Sequence, residues 1–357
     1  MKKLFIQYIL FLFFTPFLSF AQPKKVILMI GDGMGLSHAY AAYTVNKGSL
    51  NIFTMPITGL SKTFCADRYI TDSGAGATAL AIGHKANYES IGLDSLWQKH
   101  PSLIKLSKQK GLSTAIITTS NITHATPAAF VANVRNRNMQ DEIALSFLEG
   151  NVDVFIGGGK DNFVSNKRKD KLSLIDSLRA RDYNLLYNID EVDNFEINKN
   201  KKNLIAGLLY DNHPPLAQKR NNMLCRSLEK TLSVLSENEN GFFIMLEGSQ
   251  IDFESHLHRF DNMVDEVLDF DKTVGIALEF AKKDSNTLVI VIADHETGGL
   301  TLNGGCIKEG KVQDKWTSID HTGIMVPIYV YGLGAENFSG VMDNTDVFRK
   351  IKEFLEL

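Results

Sequence analysis

Six apolar stretches recur along the chain and predict the strands of a β-sheet. Each is rich in β-branched residues with few polar interruptions, which is typical of strands buried on both faces. The six stretches comprise residues 25–30, 113–119, 152–156, 241–246, 287–293 and 326–331. Segments with helical periodicity lie between them, notably 73–82, 141–148 and 262–281. Because strands that alternate with helices form parallel sheets, the pattern predicts a doubly wound α/β fold.

The first 21 residues have the pattern of a secretory signal. Two lysines follow Met1, segment 4–20 is almost wholly apolar, and the small residues Ser19 and Ala21 suit a signal peptidase. The alternative is a membrane anchor, since about 17 apolar residues are the lower limit for a spanning helix. Polar residues and a proline interrupt the run. We therefore expect cleavage after Ala21 and a periplasmic or secreted protein without a stable membrane span.

Composition restricts the rest of the chain to an ordinary globular protein. Of the 357 residues, 44 % are hydrophobic and 22 % are charged, which excludes a disordered chain. The formal net charge of −3 argues against specific nucleic-acid binding, which normally needs a basic excess. Cys65, Cys225 and Cys306 are widely separated and indicate no disulfide framework. We expect one domain over residues 22–357, with a small peripheral insertion within the Lys-, Asn- and Asp-rich segment 160–240.

Acidic and imidazole side chains follow the predicted strands. Asp32 comes after the first strand, Glu247 and Asp252 after the fourth, and Asp294 and His295 after the fifth. Ligands of open α/β sheets bind beyond the carboxyl ends of the strands, so these groups are expected at one edge of the sheet. Four carboxylates at that edge would repel one another, or have raised pKa values, unless cations neutralise them. The pattern therefore predicts divalent metal ions.

Spacing and residue type indicate which metals these are. Asp252 and His256 are four residues apart, so on a helix both lie on one face and can reach one ion; a surface ion pair is the alternative. A mixed set of Asp and His ligands without Cys suits zinc. Glu247 and Asp32, together with a hydroxyl such as that of Thr126, suit magnesium, which prefers oxygen ligands.

Ser73 is a candidate nucleophile because it begins a predicted helix of small residues. The N-terminus of that helix would present N–H groups and a positive dipole end to an anion. The alternative is that Asp72 or Ser73 only caps the helix. The glycine-rich sequence around Asp32 is not a dinucleotide-binding loop, because Leu36 stands where that motif requires its last glycine.

Four motifs, in this order along the chain, resemble the alkaline phosphatase family. They are TDSGAGATA at 71–79, EGSQID at 247–252 with His256, ADHETGG at 293–299 and HTG at 321–323. The resemblance extends from residue 25 to about residue 331. It implies a three-layer α/β/α fold with a central, mostly parallel sheet. It also implies a phosphomonoesterase that hydrolyses phosphate monoesters through a covalent phosphoserine.

The resemblance implies a role for each residue at a matching position. Ser73 would be the nucleophile, and Arg137 would hold the phosphate oxygens that are not transferred. The ligands of a first zinc ion would be Asp252, His256 and His321. The ligands of a second zinc ion would be Asp32, Asp294 and His295, and a magnesium ion would bind Asp32, Thr126 and Glu247. Family members often form homodimers, and we expect one here.

Two positions depart from the pattern of the enterobacterial enzymes. His124 stands where those enzymes have an aspartate, as in the animal enzymes, and we expect it to belong to the water network around phosphate. Phe253 stands where a lysine follows the metal-binding aspartate, and it matches neither group. Because Phe253 has no positive charge to help hold phosphate, we expect weaker phosphate binding and faster product release.

Two other activities and a binding function are alternatives to this one. A sulfatase needs a Cys or Ser within a C/S-x-P-x-R motif, and Ser73 is followed by Gly-Ala-Gly-Ala. A phosphodiesterase is an alternative that depends on whether the space around Arg137 accepts a second ester group. A non-catalytic periplasmic phosphate-binding protein would lack Ser73 or a metal ligand, and every expected position is filled.

Overall fold

A computed structural model describes residues 24–357, and within that range ten strands form one sheet. The predicted signal at 1–21 lies outside the described residues. The strands of the sheet are β1 (Lys25–Gly31), β2 (Ile57–Lys62), β3 (Ser113–Asn121), β4 (Val154–Gly158), β5 (Asn184–Leu186), β6 (Ile205–Leu208), β7 (Phe242–Gly248), β8 (Thr287–Ile292), β13 (Val326–Gly332) and β14 (Gly340–Asp343). Their order across the sheet is β14-β2-β13-β8-β1-β7-β3-β4-β6-β5. All six predicted strands are present, with ends that differ by one or two residues.

Two short antiparallel pairs lie outside this sheet. One joins β9 (Glu296–Thr297) to β12 (His321–Thr322), and the other joins β10 (Thr301–Cys306) to β11 (Lys311–Lys315). They occupy the connection between β8 and β13, where no helix crosses the sheet. The chain therefore leaves and re-enters the sheet at the same edge, and β13 runs antiparallel to both β8 and β2. The parallel orientation predicted for this sixth strand is wrong for that reason.

Helices cover both faces of the sheet. They are α1 (Leu36–Val45), α2 (Ser73–Ile82), α3 (Leu103–Gln109), α4 (Ala125–Ala129), α5 (Gln140–Ser146), α6 (Leu174–Arg179), α7 (Ile189–Asp193), α8 (Met223–Leu235), α9 (Gln250–His256), α10 (Phe260–Lys283) and α11 (Asn344–Leu355). Helices α2, α3 and α11 contact one another, and α1 and α8 both contact α10. The fold is a three-layer α/β/α arrangement in which central strands such as β1 and β7 are buried.

The Lys-, Asn- and Asp-rich segment 160–240 supplies strands and helices at the end of the sheet beside β4. Strands β5 and β6 extend the end of the sheet beside β4, and α8 packs against β3 and α10. The two strands have three and four residues, too few to produce a recognisable hydrophobic pattern. None of the helices within residues 24–357 combines the length and apolar composition needed to cross a bilayer.

Candidate active site

The candidate site lies where the parallel strands end. Asp32 follows β1, Glu247 lies near the end of β7, and Asp294 and His295 follow β8. The antiparallel return of β13 brings β12, and with it His321, to the same edge. The remaining candidate side chains come from three helices and two loops: Ser73 in α2, Thr126 in α4, Asp252 and His256 in α9, His124 before α4 and Arg137 before α5.

Asp72, rather than Ser73, caps helix α2. The Asp72 carboxylate accepts hydrogen bonds from the backbone N–H groups of Gly74 at 3.0 Å and Ala75 at 3.1 Å. The Ser73 hydroxyl is left for another partner, and its Oγ lies 3.3 Å from Nε2 of His295. The capping alternative therefore describes Asp72, while Ser73 presents its hydroxyl at the positive end of a ten-residue helix.

Asp252, His256 and His321 form the first group of side chains that could ligate a metal ion. Helix α9 carries Asp252 and His256 one turn apart, and Nε2 of His256 lies 3.3 Å from Oδ1 of Asp252. Both imidazoles are held through Nδ1, which lies 2.7 Å from the carbonyl oxygen of Ile319 in His256 and 2.8 Å from that of Thr71 in His321. A carbonyl can only accept, so each Nδ1 carries the proton.

This arrangement turns the two Nε2 atoms towards each other. They are 3.1 Å apart, and Asp252 Oδ1 lies within 3.6 Å of both. Two lone pairs and a carboxylate at such distances need a proton or a cation between them. Fixing each imidazole through its outer nitrogen is also how proteins orient histidines that ligate metals.

Asp32, Asp294 and His295 form the second group, which is fully buried. Nε2 of His295 lies 3.4 Å from Oδ1 of Asp32 and 3.3 Å from Oδ2 of Asp294. Nδ1 of the same ring lies 3.2 Å from the Thr297 hydroxyl, which itself donates to Asp252 at 2.5 Å. Thr297 must therefore accept from His295, and it connects the first group to the second.

Asp32, His124 and Glu247 form a third group that shares Asp32 with the second. Oε2 of Glu247 accepts a hydrogen bond of 2.5 Å from the Thr118 hydroxyl. Oε1 of Glu247, both carboxylate oxygens of Asp32 and Oδ2 of Asp294 are buried and have no hydrogen-bond partner within residues 24–357. Since an unpaired buried carboxylate oxygen is costly, this set has the character of an incomplete coordination site.

Burial and mutual repulsion raise the pKa values of these carboxyl groups. Burial raises the pKa of Asp294 to about 8, and the nearby Asp252 adds to the shift. Burial, Asp294 and Asp252 together raise the pKa of Asp32 well above its ordinary value. The pKa of Glu247 is also raised by burial, although neighbouring hydroxyls, including that of Thr126, oppose the shift. Without cations, these groups retain protons that ordinary carboxyls lose.

Arg137 is held by Asp72, the residue that precedes Ser73. Its Nη1 donates to Oδ2 of Asp72 at 2.9 Å, and its Nη2 lies 3.3 Å from Nε2 of His124. A guanidinium only donates, so Nε2 of His124 accepts this hydrogen bond. Burial, with Arg137 and His213 adding, lowers the pKa of His124 well below its ordinary value. The ring is therefore neutral and carries its proton on Nδ1.

Two glycines allow the groups to come this close. Gly33 has a φ of +71°, and a Cβ there would lie 2.6 Å from the Thr297 hydroxyl and 3.0 Å from Oδ1 of Asp252. A Cβ on Gly76 would lie 3.1 Å from the carbonyl oxygen of Asp294. A larger residue at either position would push apart the loop after β1, helix α2 and the end of β8.

Three further residues shape this site, and their roles are not predicted from the sequence. Thr297 joins the first two groups, Asp72 holds Arg137, and His213 contacts both His124 and Phe253 with ring centroids 5.6 and 5.2 Å away. Thr297 and Asp72 lie inside the motifs at 293–299 and 71–79, so their position was a usable signal. His213 lies alone in the polar segment 160–240, where no pattern marked it.

Comparison with known proteins now identifies the family. The family model described as alkaline phosphatase matches residues 23–312. The chain belongs to the alkaline phosphatase family. Alkaline phosphatase 4 of Bacillus subtilis (strain 168) is 34 % identical, over 91 % of this chain and 87 % of its own length. The alkaline phosphatase of Escherichia coli (strain K12) is 31 % identical, over 95 % of this chain and 88 % of its own length.

A solved alkaline phosphatase has the same fold. The enzyme from the Antarctic bacterium TAB5 superposes with a TM-score of 0.86 at 34 % identity, covering 94 % of this chain and 99 % of its own. A variant of that enzyme, with a histidine replaced by aspartate, has magnesium bound in its M3 site. The present alkaline phosphatase hydrolyses phosphate monoesters, and the family supports metal ions as its cofactors.

Proposed function

We propose that this alkaline phosphatase forms a covalent phosphoserine on Ser73 and uses two zinc ions and one magnesium ion. The observation that carries the proposal is the position of the Ser73 hydroxyl. The hydroxyl lies at the N-terminus of a buried helix, and its Oγ is 3.3 Å from Nε2 of His295. His295 belongs to the second group of side chains that could ligate a metal ion. A hydroxyl placed between a helix dipole and a cation site is suited to attack on phosphorus.

The donor atoms fit the proposed metals. Asp252, His256 and His321 would hold the first zinc, because two Nε2 lone pairs and one carboxylate oxygen already face one another. Asp32, Asp294 and His295 would hold the second zinc, which accounts for carboxylate oxygens that have no hydrogen bond among the described residues. Oxygens of Asp32, Glu247 and Thr126 would hold magnesium, in agreement with its preference for oxygen.

The reaction then proceeds in two displacements. When bound, the metal ions supply positive charge that lowers the pKa of the Ser73 hydroxyl and stabilises the entering and leaving oxygens. Ser73 Oγ forms a bond to phosphorus, and the bond from phosphorus to the ester oxygen breaks, so that the alcohol leaves with a proton. Water next bonds to phosphorus and the Oγ–phosphorus bond breaks, which releases phosphate and restores the hydroxyl.

Arg137 is proposed to bind the phosphate oxygens that are not transferred. One N–H of Nη1 is used by Asp72 and one of Nη2 by His124, which leaves an N–H on each nitrogen for two phosphate oxygens. Asp72 therefore has two roles, because it orients the guanidinium of Arg137 and also caps the helix that begins at Ser73. The two parts of the site are linked by one buried carboxylate.

His124 is proposed to donate a hydrogen bond to water rather than to ligate a metal. Its Nε2 accepts from Arg137, so its Nδ1 carries the proton and has no hydrogen-bond partner within the described part of the chain. A protonated nitrogen cannot bind a cation, whereas it can donate to a water molecule near Asp32 and Glu247. Phe253, with its ring centroid 5.4 Å from that of His124, supplies no cation on this side.

The test compares a phosphate monoester with a diester. p-Nitrophenyl phosphate and bis(p-nitrophenyl) phosphate would be assayed from neutral to strongly alkaline pH, with a chelator and after restoring zinc and magnesium. We expect monoester turnover that rises at alkaline pH and is lost with the chelator, and a phosphorylated Ser73 peptide after an acid quench. Preference for the diester would assign a phosphodiesterase, and phosphate binding without turnover would assign a binding protein.

We also propose that the mature enzyme begins after Ala21, is periplasmic or secreted, and forms a homodimer. The apolar signal-like segment and the family resemblance support these three statements. N-terminal mass spectrometry of the exported protein and light scattering of the purified enzyme would test them. An uncleaved N-terminus retained in the membrane fraction, or a monomer at assay concentrations, would contradict them.

A further inference from the structure

A second kind of metal-ligating group lies outside the active site, at the far end of the nucleophile's helix. His84 follows Gly83, the residue that caps the C-terminus of α2, and Asp94 and His100 lie further along the same connection, with ligand atoms within 4.8 Å of one another. We propose that His84, Asp94 and His100 bind a fourth divalent ion of the zinc type. The catalytic metals do not involve these residues, so this site goes beyond the proposed function.

The three side chains are already close to a coordination geometry. Nε2 of His100 lies 2.8 Å from Oδ2 of Asp94, and the rings of His84 and His100 stack with centroids 3.8 Å apart and planes 15° from parallel. Zinc binds such nitrogen and oxygen atoms at about 2.0–2.2 Å, which separates two tetrahedral ligands by about 3.3 Å. Small movements of His84 and His100 would therefore let an ion replace the proton that His100 now shares with Asp94.

Asp94 is prepared as a ligand by its own turn. Its Oδ1 accepts the backbone N–H groups of Leu96 at 2.9 Å and Gln98 at 2.8 Å, while Oδ2 remains directed at His100. The residue is only 9 % exposed. Outer hydrogen bonds that fix a carboxylate in this way are typical of metal ligands, and they leave one oxygen for the ion.

The position in the fold favours a cation. Gly83, with a φ of +73°, ends α2, so His84 stands beside the negative end of the helix dipole. His84 is exposed, so water can complete the coordination shell from solvent. Two imidazoles and one carboxylate with an open position form a donor set that zinc accepts readily.

A metal here would fasten the connection that supports the active site. The segment between His84 and His100 contains Glu89, whose N–H donates to Asp72 at 2.9 Å and whose carbonyl accepts from the N–H of Arg137 at 2.9 Å. Binding at both ends of the segment would restrict its opening. The ion would therefore stabilise this support, without touching substrate.

The experiment counts zinc in three forms of the enzyme. Wild type, His84→Asn and His84→Cys would be stripped by a chelator, reloaded in a buffer of fixed free Zn²⁺ with Mg²⁺ present, and analysed for bound zinc by mass spectrometry. We expect one fewer zinc equivalent in His84→Asn than in wild type. His84→Cys should regain that equivalent, because a thiolate is also a zinc ligand.

Two further variants keep the result interpretable. His100→Gln retains a hydrogen-bond donor for Asp94 but offers a poor ligand, so it should behave as His84→Asn does. Asp294→Asn removes a proposed active-site ligand, so it should lose active-site zinc but keep the ion at His84. Equal zinc content in wild type, His84→Asn and His100→Gln would overturn the fourth site. Unchanged zinc in Asp294→Asn would instead count against the proposed catalytic metals.

Discussion

Two clusters of buried charge differ in how they are neutralised. Arg220, which precedes α8, forms ion pairs with Glu266 and Asp269 on α10, with closest N–O distances of 2.5 and 2.7 Å. The Arg220 and Glu266 side chains are each 1 % exposed. The active site buries Asp32, Glu247, Asp252 and Asp294 with Arg137 as the nearby cation and with oxygens that lack a hydrogen-bond partner in the described chain.

The way in which each cluster is neutralised distinguishes a structural cluster from a functional one. Within the first cluster a guanidinium reaches two carboxylates, and Glu266 also accepts the N–H of Ala217 at 2.8 Å. Nε of Arg220 is buried without a hydrogen-bond partner among residues 24–357, but each of the two carboxylates pairs with the guanidinium, so the set joins the loop before α8 to α10 without an external cation. The second cluster keeps more carboxyl groups than nearby cations of the chain, so either retained protons or external cations must neutralise them.

Removing the proposed nucleophile is expected to have the largest effect. Ser73→Ala should lower kcat by about 10³-fold or more, since loss of the nucleophile in covalent hydrolases costs at least that much. Zinc content and unfolding free energy should stay close to wild type, because the hydroxyl is not the helix cap. Steady-state kinetics and metal analysis would check this. Ser107→Ala, a buried serine on α3, is the matched control, and equal turnover in both variants would refute the assignment.

Removing the cation of the structural cluster should lower the free energy of unfolding without changing the catalytic rate. Arg220→Met leaves Glu266 and Asp269 without their cation, so the unfolding free energy should fall by about 3–5 kcal/mol. The folded fraction should keep a kcat/KM within about twofold of wild type, because the cluster is not part of the site. Urea unfolding and kinetics at low temperature would measure the two quantities. A large loss of kcat/KM in fully folded protein would break the distinction between the clusters.

Metal removal should make stability fall with rising pH. In the metal-free protein, burial raises the pKa of Asp294 to about 8, and a hydrogen bond with Asp252 raises that of His256 to about 9. Both groups hold protons more tightly when folded, so the stability that protonation contributes is lost as pH rises through these values. Between about pH 7 and 9 the loss should be on the order of 2 kcal/mol.

Urea unfolding of chelated and metal-loaded enzyme across this range would measure the dependence. The loaded enzyme should show little of it, because bound cations hold the carboxylates ionised. Stability of the chelated protein that rises from neutral to alkaline pH would contradict the assigned shifts. The Arg220→Met variant is the control, because Arg220 lies outside the active site. Chelation should give its unfolding free energy the same pH dependence as that of the chelated wild type.

Adding a cation beside the functional cluster should have the smallest effect. Phe253→Lys places an ammonium group near His124, where it can attract phosphate through water, so inhibition by inorganic phosphate should strengthen by about 3- to 10-fold. Phe253→Leu is the matched control, because it changes the shape without adding charge. Phosphate inhibition constants would be compared at equal ionic strength. Equal tightening in both variants would show that loss of the ring, rather than charge, determines phosphate affinity.

Much of the site was predictable because its residues follow strands. The apolar runs located β1, β7 and β8, so the positions of Asp32, Glu247 and Asp294 at one edge followed from the polarity of a parallel sheet. The four-residue spacing of Asp252 and His256 placed them on one helical turn, as α9 confirms. Strands β5 and β6, the direction of β13 and the role of His213 were not predictable, because they depend on contacts between distant segments.

The sequence by itself determined most of the elements of this protein and the side chains available for its chemistry. Hydrophobic runs determine most of the strands, small residues after Asp72 determine the helix that begins at Ser73, and adjacent motifs determine which Asp and His side chains are available, because each of these is a local property. Only the tertiary structure decided which nitrogen of each imidazole faces the site. It also decided that Thr297 joins two ligand groups, that Arg220 closes its own cluster, and that His84 meets Asp94 and His100. These outcomes depend on backbone carbonyls and side chains brought together by packing, which no stretch of consecutive residues contains.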